Sequence, residues 1–76
     1  MYRSVTDVKA TDDFKLILRF DNAEQKTFDA SCIIETGRFS ELKDIRQFKK
    51  VRVSFDTVEW DNGLDLDPEY LYAKSQ

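Results

Sequence analysis

The chain of 76 residues contains no histidine, one cysteine, one proline and two glycines. Each scarcity removes a class of function. Without histidine, Ser–His–Asp triads, imidazole bases and the usual zinc sets are excluded, and Cys32 lacks the partner that normally activates a catalytic thiol. Gly37 and Gly63 lie too far apart to build a phosphate-cradling loop. A lone cysteine makes no internal disulfide, and a domain this small without staples suits a reducing compartment, so the expected location is cytoplasmic. Cys32 itself is expected to be a small buried residue. No apolar run approaches the ~20 residues of a membrane span, and the N-terminus lacks the apolar block of a signal peptide.

What the chain does have is charge (36% of residues) alongside 41% hydrophobic residues, enough for one core under a well-solvated surface. The expectation is a single α+β domain over residues 1–76 that buries ~60% of its unfolded surface. Its stability should be roughly 4 to 11 kcal/mol. The net charge of -3 argues against a free-standing nucleic-acid binder and makes a basic protein the easier partner.

Taken in order, Tyr2 to Ala10 predicts a weak strand at a sheet edge, and Thr11-Asp12-Asp13 a turn. Phe14, Leu16, Leu18 and Phe20 share one face of the clearest strand, with Ile17 partly covering the other. Asp21-Asn22-Ala23 supplies turn chemistry before a strand from Glu24 to Asp29; a three-residue loop sets Phe28 beside Leu16, the favoured register over a two-residue loop. Ser31 to Gly37 reads as a crossover in which Ile33 and Ile34 enter the core and Gly37 ends any helical turn. Phe39, Leu42, Ile45 and Phe48 recur every third residue on one helical face, as one helix or two short turns. Ser40 and Asp44 are the candidate N-caps, and Gln47 would complete a capping box with Asp44.

Val51, Val53 and Phe55 alternate, as do Val58 and Trp60. A two-residue loop at Asp56-Thr57 would place Phe55 opposite Val58 and Val53 opposite Trp60, with every large apolar group on one side. After a break at Asp61-Asn62-Gly63, Asp67 and Pro68 predict a capped helical turn through Tyr72 with Leu71 on the core; Ala73 to Gln76 is expected to fray. No internal repeat or linker is read. The expected architecture is thus an antiparallel sheet of about five strands in β-β-β-α-β-β order, one or two short helices and a short C-terminal helical turn.

Two charge clusters are candidate sites. The acids Glu59, Asp61, Asp65, Asp67 and Glu69 invite a hard cation. A calcium loop with Gly63 at its sixth position, however, would put Val58 and Trp60 where ligands belong. Helix capping and loop bracing explain the acids better, and neither a metal nor another cofactor is expected. Asp61, Asp65, Glu69, Tyr70 and Tyr72 form instead a candidate acidic, aromatic contact surface for a basic protein, while Trp60 is expected in the core. The alternative is nucleic-acid binding through Lys43, Arg46, Lys49, Lys50 and Arg52, although these residues also suit a solvated face in which Arg52 stands opposite Asp61.

Over nearly the whole chain, from about Val8 to Tyr72, the sequence resembles the bacterial "domain of unknown function 2442" family. The resemblance is carried by Asp12-Asp13-Phe14, Leu16 and Phe20, Phe28-Asp29, Phe39, Leu42, Phe48, Val51 and Val53. Its most specific part is Trp60, Asn62-Gly63, Asp65-Leu66-Asp67-Pro68-Glu69 and Leu71-Tyr72. Ala23 stands where the family usually has a hairpin glycine, and Asp61 where proline often follows the tryptophan. The resemblance implies an α+β fold with an antiparallel sheet. It also implies a small cytosolic protein, occasionally fused to a helix-turn-helix module and often encoded beside another small protein, an arrangement similar to toxin–antitoxin pairs. It supplies no catalytic residue. The resulting expectation is a non-enzymatic interaction module, antitoxin-like, whose partner is the product of an adjacent gene. Self-association through the weak first strand is a further expectation.

Overall fold

The computed structural model describes residues 4–35 and 37–76. Tyr2, the expected start of the first strand, and Thr36 of the expected crossover lie outside them. The chain forms strands β1 (Val5–Ala10), β2 (Lys15–Phe20) and β3 (Gln25–Asp29), then 3-10 segments at Ala30–Cys32 and Gly37–Lys43. Helix α1 (Ile45–Phe48), strands β4 (Arg52–Ser54), β5 (Thr57–Glu59) and β6 (Asp65–Leu66), and helix α2 (Pro68–Lys74) complete it. The strands make two antiparallel three-stranded sheets, β1-β2-β3 and β4-β5-β6, rather than one sheet of five. The sixth strand is only two residues long, too short to show a period of its own.

The first sheet follows the expected pattern. Leu16 pairs with Phe28, and Leu16, Leu18, Phe20 and Phe28 are all buried. Phe14 departs from it: the residue sits in the loop before β2 with φ of +63° and turns its ring toward Phe48, at 5.2 Å between centroids. β1 is an outer strand, as expected. Its Val5 N–H bonds the Asp56 carbonyl at 2.8 Å, tying the two sheets together.

The β4–β5 register differs from expectation by one position. Val53 pairs with Val58 and Arg52 with Glu59, so the two-residue turn is Phe55-Asp56, with φ of +48° and +71°. Both residues are left-handed, as the turn type matching strand twist requires. Phe55 is consequently 95% exposed rather than packed with Val58. The long-range bond from Val5 to Asp56 fixes this turn from outside the hairpin.

Period-three spacing is also the signature of a 3-10 helix, whose side chains at i and i+3 eclipse, and Phe39 and Leu42 lie on such a segment. It begins at Gly37, whose φ of +57° is the left-handed conformation glycine favours. Asp44 caps α1 by accepting the Arg46 N–H at 3.0 Å. Ser40 is no cap: its hydroxyl donates to the Gly37 carbonyl within the 3-10 segment. Gln47 keeps its Nε2 buried without a hydrogen-bond partner.

Trp60 is fully buried, and its Nε1 donates to the Phe48 carbonyl at 2.9 Å. α2 has the expected Asp67 cap and Pro68 start but continues to Lys74. The C-terminal residues do not fray: Ser75 is buried, and Gln76 exchanges backbone hydrogen bonds with Thr27 at 2.7 and 2.9 Å, covering part of the outer edge of β3.

Candidate functional site

An open groove of about 540 Å³ lies where the 3-10 segments meet β6 and the start of α2. Cys32, Ile33, Phe39, Leu66 and Tyr70 line it, with Asp65 and Asp67 among them. Local rules place each wall. Asp29 caps the first 3-10 turn by accepting from Ser31 N–H at 3.0 Å and from its hydroxyl at 2.6 Å, and that turn presents Ile33 and Cys32. The Ser31 hydroxyl is the main reason the Asp29 carboxyl titrates below its ordinary range. On the opposite wall the Asp67 carboxylate accepts the Glu69 N–H at 3.1 Å, starting α2 so that Leu71 turns into the core and Tyr70 outward. Tyr70 is 38% exposed and meets Phe28 edge-on at 6.0 Å.

Of the acidic, aromatic candidates, the groove brings together Asp65 and Tyr70, with Glu69 exposed beside them in the first turn of α2. Asp61 is engaged elsewhere, in an ion pair with Arg52 at 2.8 Å. Tyr72 serves the fold: its ring meets Phe20 edge-on at 5.0 Å, its hydroxyl donates to the Glu24 carboxylate, and Lys26 Nζ lies 3.7 Å from its ring centroid. Sequence reasoning passed over Ile33 and Phe39 as groove walls, since both carry the same apolar signal as core residues. It also misplaced Cys32, which is exposed because its 3-10 turn points the thiol away from the core.

The basic candidates are largely paired with carboxylates. Lys43 meets Glu35 at 3.6 Å, Arg46 meets Asp44 at 3.4 Å and Lys49 meets Asp12. Arg52 reaches both Glu59 at 3.5 Å and Asp61, so it does find Asp61, although its direct cross-strand neighbour is Glu59. The Arg46 guanidinium also holds the Asp44 carboxyl below its ordinary range. Lys50 has no such ion pair among the described residues. Surface pairs of this kind add little stability, but they offset the positive field that phosphate recognition requires. Among the described residues no group of three or more His, Cys, Asp or Glu side chains is disposed to hold a metal ion, and no helix is long and apolar enough to cross a membrane.

Fold and groove define a small α+β domain whose most distinctive surface is an apolar cleft edged by acids. The family model of a protein of unknown function, DUF2442, matches residues 5–76, and the chain belongs to that family. No curated protein matches it. No solved structure matches it either.

Proposed function

We propose that the domain is a non-enzymatic protein-interaction module that receives a basic partner protein at this groove. One observation carries the reading: an apolar floor lies beside carboxylates that lack counter-charges. Ile33, Phe39, Leu66 and Tyr70 supply contact area, whereas Asp65, Asp67 and Glu69 have no salt-bridge partner among the described residues. An apolar, aromatic centre with a charged rim is the anatomy of a recognition patch. Unpaired carboxylates attract Lys and Arg and repel phosphate, which favours a protein over a nucleic acid here. The paired state of Lys43, Arg46, Lys49 and Arg52 argues in the same direction. Given the gene arrangement the family resemblance implies, the partner is the product of an adjacent gene, in an antitoxin-like pairing.

The test is co-expression of the domain with that tagged neighbour, comparing wild type with the double reversal Asp65→Lys/Glu69→Lys. Capture should be lost in the double variant and weakened by salt in the wild type. Equal capture by both forms removes the groove from the assignment. A gel shift with duplex DNA and with RNA at low salt checks the alternative, and the expected result is no shift.

A further inference from the structure

We infer that the partner binds as an added β-strand along the open edge of β6, an inference that rests on the reading of the groove as a partner site. Ladder geometry shows which backbone groups are available. Trp60 N–H bonds the Leu64 carbonyl at 2.8 Å, and beyond that pair Glu59 stands opposite Asp65 and Val58 opposite Leu66. Antiparallel pairs alternate between hydrogen-bonded and non-bonded, so Glu59–Asp65 is a non-bonded pair and the Asp65 amide and carbonyl face away from β5. Neither group has a hydrogen-bond partner among the described residues. β6 is an outer strand of its sheet and adjoins the groove directly. The outer edge of β3 is engaged at Thr27 by Gln76, and that of β1 at Val5 by Asp56.

Charge then specifies the occupant. Asp65 faces Glu59 across the non-bonded pair, where side chains come closest and like charges repel. Arg52 compensates Glu59 at 3.5 Å, but no cation among the described residues compensates Asp65. A strand laid along β6 sets one side chain directly across from Asp65 and turns its two neighbours to the Leu66 side. The fitting segment is therefore extended, with Lys or Arg opposite Asp65 and apolar residues on either side reaching Leu66, Phe39 and Tyr70. Main-chain bonds supply affinity and alternate side chains supply selectivity, as in other strand-addition complexes.

The experiment titrates the full chain, ¹⁵N-labelled, with a blocked peptide of alternating lysine and leucine and with two versions N-methylated at alternate residues, one for each register. The unmodified peptide should shift the Asp65 amide. Methylation in one register should weaken binding by roughly tenfold or more, since it removes edge hydrogen bonds, while the other register is tolerated. Asp65→Lys should weaken the unmodified peptide similarly. Equal binding of all three peptides overturns strand addition and leaves the groove reading standing. Failure of the peptide to bind, while the neighbour protein is still captured in a manner sensitive to the double reversal, has the same meaning. Loss of both the peptide and the capture removes the two proposals together. Concentration-dependent Asp65 shifts without any peptide would assign the edge to a second copy of the chain and overturn the inference.

Discussion

The loops Asp21-Asn22-Ala23 and Asp61-Asn62-Gly63 are the same device used twice. In each the preceding aromatic closes the ladder, Phe20 N–H to the Glu24 carbonyl at 2.9 Å and Trp60 N–H to the Leu64 carbonyl at 2.8 Å. In each the asparagine side chain accepts the N–H two residues on, at 3.1 Å for Glu24 and 3.2 Å for Leu64. The third residue is left-handed in both, with φ of +70° at Ala23 and +87° at Gly63. The loop from Asp12 to Phe14 repeats the outline, with Thr11 N–H bonding the Lys15 carbonyl at 2.9 Å and Phe14 in the left-handed place. Glycine is thus an economy at that place rather than a requirement. Ladder closure and the asparagine set the geometry, and the third residue sets its cost. Each joins two strands of one sheet, and the loops differ in what they support: the first sets β3 against β2, whereas the second sets β6 against β5 and so forms one side of the groove.

The largest expected effect separates the two aromatics that enter these loops. Trp60→Ala removes a fully buried ring and leaves the Phe48 carbonyl without its indole donor. The loss should be about 3–5 kcal/mol, a large part of the whole stability, read from urea unfolding. Phe20→Ala should fall toward the lower end of that range, because no hydrogen bond is lost with the ring. A larger loss at Phe20 would overturn this ranking.

The asparagines come next. The Asn62 side chain also donates to Glu41 at 2.9 Å and so ties its loop to the 3-10 segment, a tie to which the Asn62 backbone carbonyl adds by accepting from Arg38 at 3.3 Å. Asn62→Ala should cost about 1–2 kcal/mol, more than Asn22→Ala at about 1 kcal/mol. Asn22 donates only locally, to the Glu24 carboxylate, so equal costs would mean that the long-range tie to Glu41 contributes no more than that local bond.

Exchanging the third residues is the most direct test of equivalence. A Cβ at Gly63 meets nothing within 4 Å, so Gly63→Ala carries only the left-handed backbone cost, about 1 kcal/mol net of the stiffer unfolded chain. Ala23→Gly should gain a similar amount, and the double exchange should leave the unfolding midpoint near wild type. A double variant clearly weaker than wild type would show that the loops differ in more than this residue.

These parallels also mark what could be read in the sequence. Asp21-Asn22 with Phe28 left two β2–β3 registers open and favoured the one that forms, because there turn and apolar face agree. At β4–β5 they conflict: apolar pattern asks for Phe55 inside, yet the turn takes Phe55 and Asp56 under the hold of Val5, a contact from the other end of the chain. Nonlocal pairing likewise hid the docking of Gln76 on Thr27. At the site, Asp65 and Tyr70 were legible as an unbalanced acidic, aromatic run. Ile33 and Phe39 were not, since only tertiary closure brings the 3-10 segments against β6.

The smallest effect distinguishes the third loop of this type from the other two. Asp13 accepts the Thr11 hydroxyl, which is the main reason its carboxyl titrates below the ordinary aspartate range, with Lys15 assisting at 3.6 Å. A carboxylate whose folded pKa is depressed contributes stability that is fully present above its unfolded pKa of about 4 and is lost as pH falls through the lower folded value. Acid should therefore loosen the Asp12–Phe14 loop over a window beginning near the ordinary aspartate pKa and extending below it. Thr11→Val, which keeps the shape and removes the hydroxyl, should raise the Asp13 pKa toward the ordinary range and flatten that part of the stability–pH curve. Carboxyl-resolved NMR titration of wild type and variant reads the shift directly. An unchanged Asp13 titration in Thr11→Val would show that the hydroxyl does not govern this carboxylate, leaving Lys15 and the loop backbone to account for its depressed pKa.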